Sequence, residues 1–155
     1  MALDSTARES NVRDSLKKYF VDSFFTSEQV RLTFDKGLAA PNIQGTSVNR
    51  WLAIQFGSIT IATMSDQVLQ AICCTREDPE AYRLAQLRDK VIDYLTDATQ
   101  TDGLRRIPFY KSNTTPWELI GGLVVLLDPE SPHMEGPDGT KYKIVPFRVK
   151  WGAKI

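Results

Sequence analysis

A chain of 155 residues, 42% hydrophobic and 25% charged, is long enough to bury a core of its own and has the balance of a globular domain. Nineteen basic and nineteen acidic residues cancel to a formal charge of zero. That argues against general polyanion binding, which calls for a basic excess or stripe. The longest apolar run, Leu119 to Leu127, is interrupted by Gly121-Gly122 and falls short of a membrane span, and the polar Met1–Asn11 stretch lacks the apolar segment of a secretory leader.

Residues 1–10 read as a loose arm. Ser10 is placed to cap a helix beginning at Asn11, in which Val12, Leu16, Phe20 and Phe24 recur at four-residue steps and form one apolar stripe. The helix is expected to end near Phe25-Thr26. Val30, Leu32 and Phe34 then alternate with Arg31, Thr33 and Asp35, the pattern of a half-buried strand closed by Lys36-Gly37. Leu38 to Asn49, rich in Pro, Asn, Gly, Ser and Thr, reads as a loop, longer than a hairpin needs.

Trp51 to Phe56 is the next strand, with Leu52, Ile54 and Phe56 on one face, and Gly57-Ser58 marks a bulge or turn before Ile59-Thr60-Ile61. Gln67 to Thr75 is apolar on both faces, which predicts a central strand. Glu77-Asp78-Pro79-Glu80 predicts the start of the main helix, with Pro79 at its first position and Leu84, Leu87, Val91 and Leu95 facing the core. Ile107 to Tyr110 is a short extended piece that Pro108 confines to an edge or a bulge. Trp117 to Leu127 and Tyr142 to Trp151 are the last strands, joined by the polar excursion Asp128–Lys141 as a long hairpin loop. This order predicts a single α+β domain over residues 1–155, an antiparallel or mixed sheet flanked by two main helices.

Catalytic chemistry finds little footing. His133 is the sole histidine and sits in a polar, Pro-rich loop, while the two cysteines, Cys73 and Cys74, are adjacent within a strand and point to opposite faces. An exposed loop histidine and two buried thiols fit these positions better than a Cys–His pair. The acids Asp128, Glu130, Glu135 and Asp138 match no calcium-loop spacing, and neither glycine cluster has the context of a phosphate loop. No catalytic, cofactor or metal residue is assigned.

Charge patterning offers more. Asp128 to Asp138 carries acids and no Lys or Arg, whereas Lys141, Lys143, Arg148, Lys150 and Lys154 follow without an acid. Two limbs of a hairpin neutralising each other would explain this, and that reading is slightly favoured. The sharper alternative puts one subunit's acidic loop (Asp128, Glu130, Glu135, Asp138) against the next subunit's basic strand (Lys141, Lys143), a heterologous contact able to close into a ring. Trp51, Trp117 and Trp151, near strand ends, divide evenly between interface anchors and core residues.

The block Trp51-Leu-Ala-Ile-Gln-Phe-Gly57, then Gln67-Val-Leu-Gln-Ala-Ile-Cys-Cys-Thr75, then Arg76-Glu-Asp-Pro-Glu-Ala-Tyr82 through to Leu95, with the preceding helix Val12 to Phe24, resembles tail terminator proteins of long-tailed bacteriophages. The likeness lies in element order, size and pattern over most of the chain, and involves no catalytic motif. It implies a ring, typically hexameric, on the head-proximal end of the tail tube. Such a ring stops tube polymerisation and presents a surface to head-completion or neck proteins. DNA would cross its lumen without sequence-specific binding, which suits a neutral chain. The resemblance further implies residence in the virion after synthesis in the host bacterial cytoplasm, no cofactor, no membrane and no enzymatic activity. Under it, Leu38–Asn49 and Asp128–Lys141 are the candidate contacts with tube, neighbour or neck. Alternatives are another neck, tail-completion or baseplate-proximal ring protein or, in a different class, a small ligand-binding domain or enzyme, which needs a cleft of convergent polar groups.

Overall fold

The apolar stripe of the first segment forms a helix, α1 (Glu9–Phe20), continued by a π-helical turn over Val21–Thr26. The computed structural model describes residues 9–28, 30–35, 49–60, 62, 64–112, 115–136 and 139–152. Most of the N-terminal arm, positions 38–48 of the first long loop, and Asp138 therefore lie outside the described residues. Ser10 is not the cap: the helix already includes Glu9, whose carboxylate in the first turn complements the positive end of the helix dipole. Val12, Leu16, Phe20 and Phe24 are all fully buried, and the Phe20 and Phe24 rings stack at 5.8 Å.

Alternation of apolar and polar residues produces the strands β1 (Arg31–Phe34), β2 (Arg50–Thr60), β3 (Met64–Thr75), β4 (Arg106–Lys111), β5 (Glu118–Leu127), β6 (Met134–Glu135) and β7 (Lys141–Gly152). They form one mixed, curled sheet in the order β1-β2-β3-β7-β5-β4, with β6 also paired to β7. β1 and β2 are parallel and so do not form a hairpin; every other described pairing is antiparallel. The expected bulge falls between Phe56 and Ile59, where a Cβ on Gly57 would meet the Val68 carbonyl oxygen at 3.0 Å. β3 is internal, and Pro108 sits on the edge strand β4, as their sequences require.

The main helix starts later than its sequence signals suggest. α2 spans Tyr82–Leu95, and Pro79-Glu80 lie in a turn before it. Ala81 adopts φ +56°, which breaks the helical path between Pro79 and Tyr82. Asp78 nevertheless serves the helix from outside: its carboxylate accepts hydrogen bonds from the Leu84 N–H (2.9 Å), the Arg83 N–H (3.3 Å) and the Thr75 hydroxyl (3.2 Å). Burial opposes its ionisation, but these donors prevail and hold the Asp78 pKa below the usual aspartate value.

Both helices pack on one face of the sheet. Their stripes meet Leu52, Ile54, Leu69, Cys73, Val145, Phe147 and Val149 in one continuous core. α1 also contacts both ends of the strand order. At the β4 edge, the Ser15 hydroxyl accepts the Tyr110 N–H at 2.8 Å and the Asn11 side chain accepts the Ser112 N–H at 3.2 Å. Toward the β1 edge, Arg13 pairs with Asp35 and lies 4.1 Å over the Phe56 ring. α1 thus supplies β4 with side-chain partners where a further strand would have supplied backbone, covering a sheet edge.

Candidate interface

The excursion after β5 is bound to its own chain. The Asp128 N–H donates to Pro146 O and the Ser131 N–H to Ile144 O, both at 3.0 Å, and the Ile144 N–H returns a bond to the Ser131 hydroxyl at 2.8 Å. Met134 and Glu135 then pair with Tyr142 and Lys141. β7 is thereby stitched along the side opposite β3, by β5 at Leu127 and before, by a strap over 128–133, and by β6.

The candidate charges gather along this strap. Glu130 takes a two-pronged contact from Arg88 of α2, Nε at 2.7 Å and a terminal nitrogen at 2.6 Å, with Lys143 Nζ 3.8 Å away. The Arg88 fork, with help from Lys143, overcomes partial burial and holds the Glu130 pKa below its usual value. Asp128 lies 3.5 Å from Arg148, and Lys141 donates to Pro79 O at 2.6 Å. Glu135 is exposed, opposite Lys141 in the ladder. The structure therefore pairs Asp128 with Arg148, and Glu130 with Lys143 and Arg88, inside one chain: the internally neutralised hairpin. Arg88 escaped the sequence reading because a helix-surface arginine carries no signal for a partner 42 positions away.

Two of the three tryptophans are not interface anchors. Trp51 is fully buried and Trp151 is 3% exposed. Trp151 belongs to the main core, edge-on to Phe109 at 6.0 Å. Trp51 joins Ala53, Ile72 and Cys74 in a small cluster on the opposite face of the sheet, with the Arg76 guanidinium 5.1 Å from its ring. Trp117 is 40% exposed, beside the 63%-exposed Leu119.

The two cysteines are buried and face opposite sides of the sheet. Cys73 faces the main core and Cys74 the small cluster; burial raises both thiol pKa values, that of Cys74 to about 12. His133 lines a hollow of about 290 Å³ with Ala81, Leu84, Arg88 and Lys143. A second hollow, about 250 Å³, lies between the π-helical turn, α2 and β4 and is lined by Tyr19, Ser23, Tyr94 and Tyr110. Two of its three tyrosines are committed: Tyr19 donates to Tyr94 O, and Tyr94 to Glu28 at 3.0 Å. Among the described residues no group of three or more His, Cys, Asp or Glu could hold a metal ion, and no helix is long and apolar enough to cross a membrane.

No family model and no curated protein matches the sequence. The fold does match a solved structure, a protein whose name states no function: TM-score 0.61, 9% identity, covering 96% of this chain and 97% of that one. At that identity the two share a fold, over nearly the whole of both chains.

Proposed function

We propose that this chain is a structural ring protein of a bacteriophage tail, seated at the head-proximal end of the tail tube, where it ends tube polymerisation and offers a surface for head-completion or neck proteins. One observation carries the reading. Both helices lie on a single face of the curled sheet, so β3, β7 and β5 present a second face that carries no helix among the described residues and whose residues Val68, Gln70, Ile144, Pro146 and Leu126 are half-buried. An antiparallel sheet with one face on the core and the other only partly buried is a surface suited to assembly. The pairing of the strap's acids within the chain leaves self-association to other surfaces. The ring is expected to be hexameric, and DNA would pass through it without base-specific contacts.

The test has two arms. Molar mass by light scattering across a concentration series, with and without magnesium, should give a discrete species of several subunits. Addition of the protein to polymerising tail tube subunits should shorten the tubes in a dose-dependent way, seen by electron microscopy. Tubes of unchanged length would reject the terminator role and leave another ring of the neck or tail. A strict monomer with no effect on tubes would reject the assembly reading altogether.

A further inference from the structure

We infer that the hollow between the π-helical turn, α2 and β4 is a binding site for a proline-rich segment of another protein, taken up in the polyproline II conformation. The inference goes beyond the ring proposal and does not depend on it.

The hollow opens where α1 stops bonding the β4 edge. Arg105 O accepts the Val125 N–H across the sheet, and the Tyr110 N–H donates outward to Ser15. Strand alternation therefore puts Pro108 among the residues whose backbone groups point away from β5. Along that edge the side chains of Ser15 and Asn11 answer the N–H groups of Tyr110 and Ser112, but Pro108 has no N–H to answer. Past Ser15 the helix widens into the π-helical turn Val21–Thr26, a geometry found frequently at functional sites. What results is a space of about 250 Å³ with Pro108 exposed on one wall and Ser23 of the π-helical turn on another.

Its lining offers rings rather than free acceptors. The Tyr19 and Tyr94 hydroxyls are spent on Tyr94 O and Glu28, and the Ser15 hydroxyl on Asn11 O and the Tyr110 N–H. The groups with capacity left are donors. Lys18 gives Asp22 one of its three N–H groups, at 2.8 Å, and the Tyr110 hydroxyl makes no hydrogen bond among the described residues. The Asp22 hydrogen bond raises the Lys18 pKa and Tyr110 adds to it, which places the phenol near the ammonium. Lys18 and Asp22 also neutralise each other, so the charge at this rim complements an uncharged ligand.

The matching ligand is uncharged, ring-bearing, rich in acceptors and poor in donors. A polyproline II segment has all four properties. Its rings pack against aromatic walls, each proline lacks an N–H, and its carbonyls make no internal hydrogen bonds. Lys18 and Tyr110 are placed to donate to those carbonyls. Ring surface continues beyond the hollow, since Trp117 lies 6.2 Å from Tyr110 and is 40% exposed. Two other ligands fit worse. A cationic side chain would meet Lys18, and an added β-strand would find Pro108 without an N–H and the next two donors of the edge already taken by α1.

Titration calorimetry on the full chain tests this, with an end-blocked peptide of about ten prolines as the probe and a Gly-Ser peptide of equal length as the control. The proline peptide should give saturable heat and the Gly-Ser peptide none. Tyr110→Ala removes a wall ring and should weaken binding by about tenfold or more. Lys18→Ala, at an exposed position outside the core, removes a donor and should weaken it by about threefold. Circular dichroism matching wild type separates lost binding from lost folding; if Tyr110→Ala changes the spectrum, Lys18→Ala decides. No saturation up to about 1 mM proline peptide, equal heat from both peptides, or unchanged affinity in the deciding variant overturns the inference. None of these outcomes touches the ring proposal, which stands or falls on the molar mass and the tubes.

Discussion

The two faces of the sheet are built differently. On the helix side, Leu52, Leu69, Val145 and Phe147 belong to one core that runs unbroken from α1 to α2. On the other side the buried residues described are the cluster Trp51, Ala53, Ile72 and Cys74, with Tyr142 and Ile144 partly buried against it, and Thr33 beside Ala53. The first face holds the fold together; the second has one local cluster, and its other described residues are half-buried. The difference arises from sequence period: Leu52, Ile54 and Phe56 of β2, Leu69, Ala71 and Cys73 of β3, and Val145, Phe147, Val149 and Trp151 of β7 share one parity, while Gln55, Gln70, Arg148 and Lys150 fall on the other.

Substitution should expose this asymmetry. Phe147→Ala removes a fully buried ring that contacts Phe20 at 6.0 Å, and should lower stability by about 3–5 kcal/mol in urea unfolding. On the opposite face of the same strand, half-buried Ile144→Ala should cost only about 1 kcal/mol. Comparable losses at both positions would mean that the outer face also bears the fold. Trp51→Ala sharpens the contrast. The ring is fully buried, so about 3 kcal/mol is expected even in the small cluster. Trp51→Phe should retain most of that, because the indole N–H has no partner among the described residues.

Much of the helix-side face was legible in the chain. Val12, Leu16, Phe20 and Phe24 announce their helix through spacing alone, and Val145, Phe147, Val149 and Trp151 announce their strand. Pro108 marked an edge because a missing N–H leaves few places in a sheet. Long-range pairings were not legible. Alternation in Arg31–Phe34 identifies a strand but not its parallel partner, and Trp51 looks the same in sequence whether its face is covered or bare. The strap showed its charges but not its partners. Only the folded chain reveals that Glu130 reaches Arg88, or that residues 128–133 lie bonded along β7. The family resemblance rested on element order, which the fold bears out only as an α+β architecture.

The turn into α2 supports a smaller and pH-dependent prediction. Asp78→Ala should cost about 1–2 kcal/mol, since it leaves the Arg83 and Leu84 N–H groups without their acceptor. The folded pKa is depressed relative to the unfolded chain. The stability that Asp78 supplies is therefore fully present above the ordinary aspartate pKa of about 4, and is lost as pH falls through the lower folded value. Wild type and variant should differ most at neutral pH and converge in acid, measured as unfolding midpoints across pH. A difference that grows in acid would assign the carboxylate's role to something other than accepting these two bonds.

The smallest effect falls on the strap, the part of the molecule that joins the two faces. Arg88–Glu130 has a favourable two-pronged geometry, but its side chains keep 32% and 24% of their exposure. Solvent screening therefore limits Glu130→Gln to about 0.5–1 kcal/mol of global stability, less at high salt. The local consequence should be larger than the global one. Glu130 lies between the backbone bonds at Asp128 and Ser131, so loosening it weakens the strap before it weakens the core. Amide exchange at Asp128 and Ser131 should accelerate in Glu130→Gln while amides of Val145 and Phe147 change little. The depressed pKa of Glu130 gives the same ordering in wild type: as pH falls through its folded value, the ion pair is lost, and strap protection should fall before the core opens. Uniform acceleration across strap and core would show instead that the strap and the helix-side core unfold as one unit. The strap would then belong to the fold itself, and its charges would be poor candidates for exchange with a neighbouring subunit.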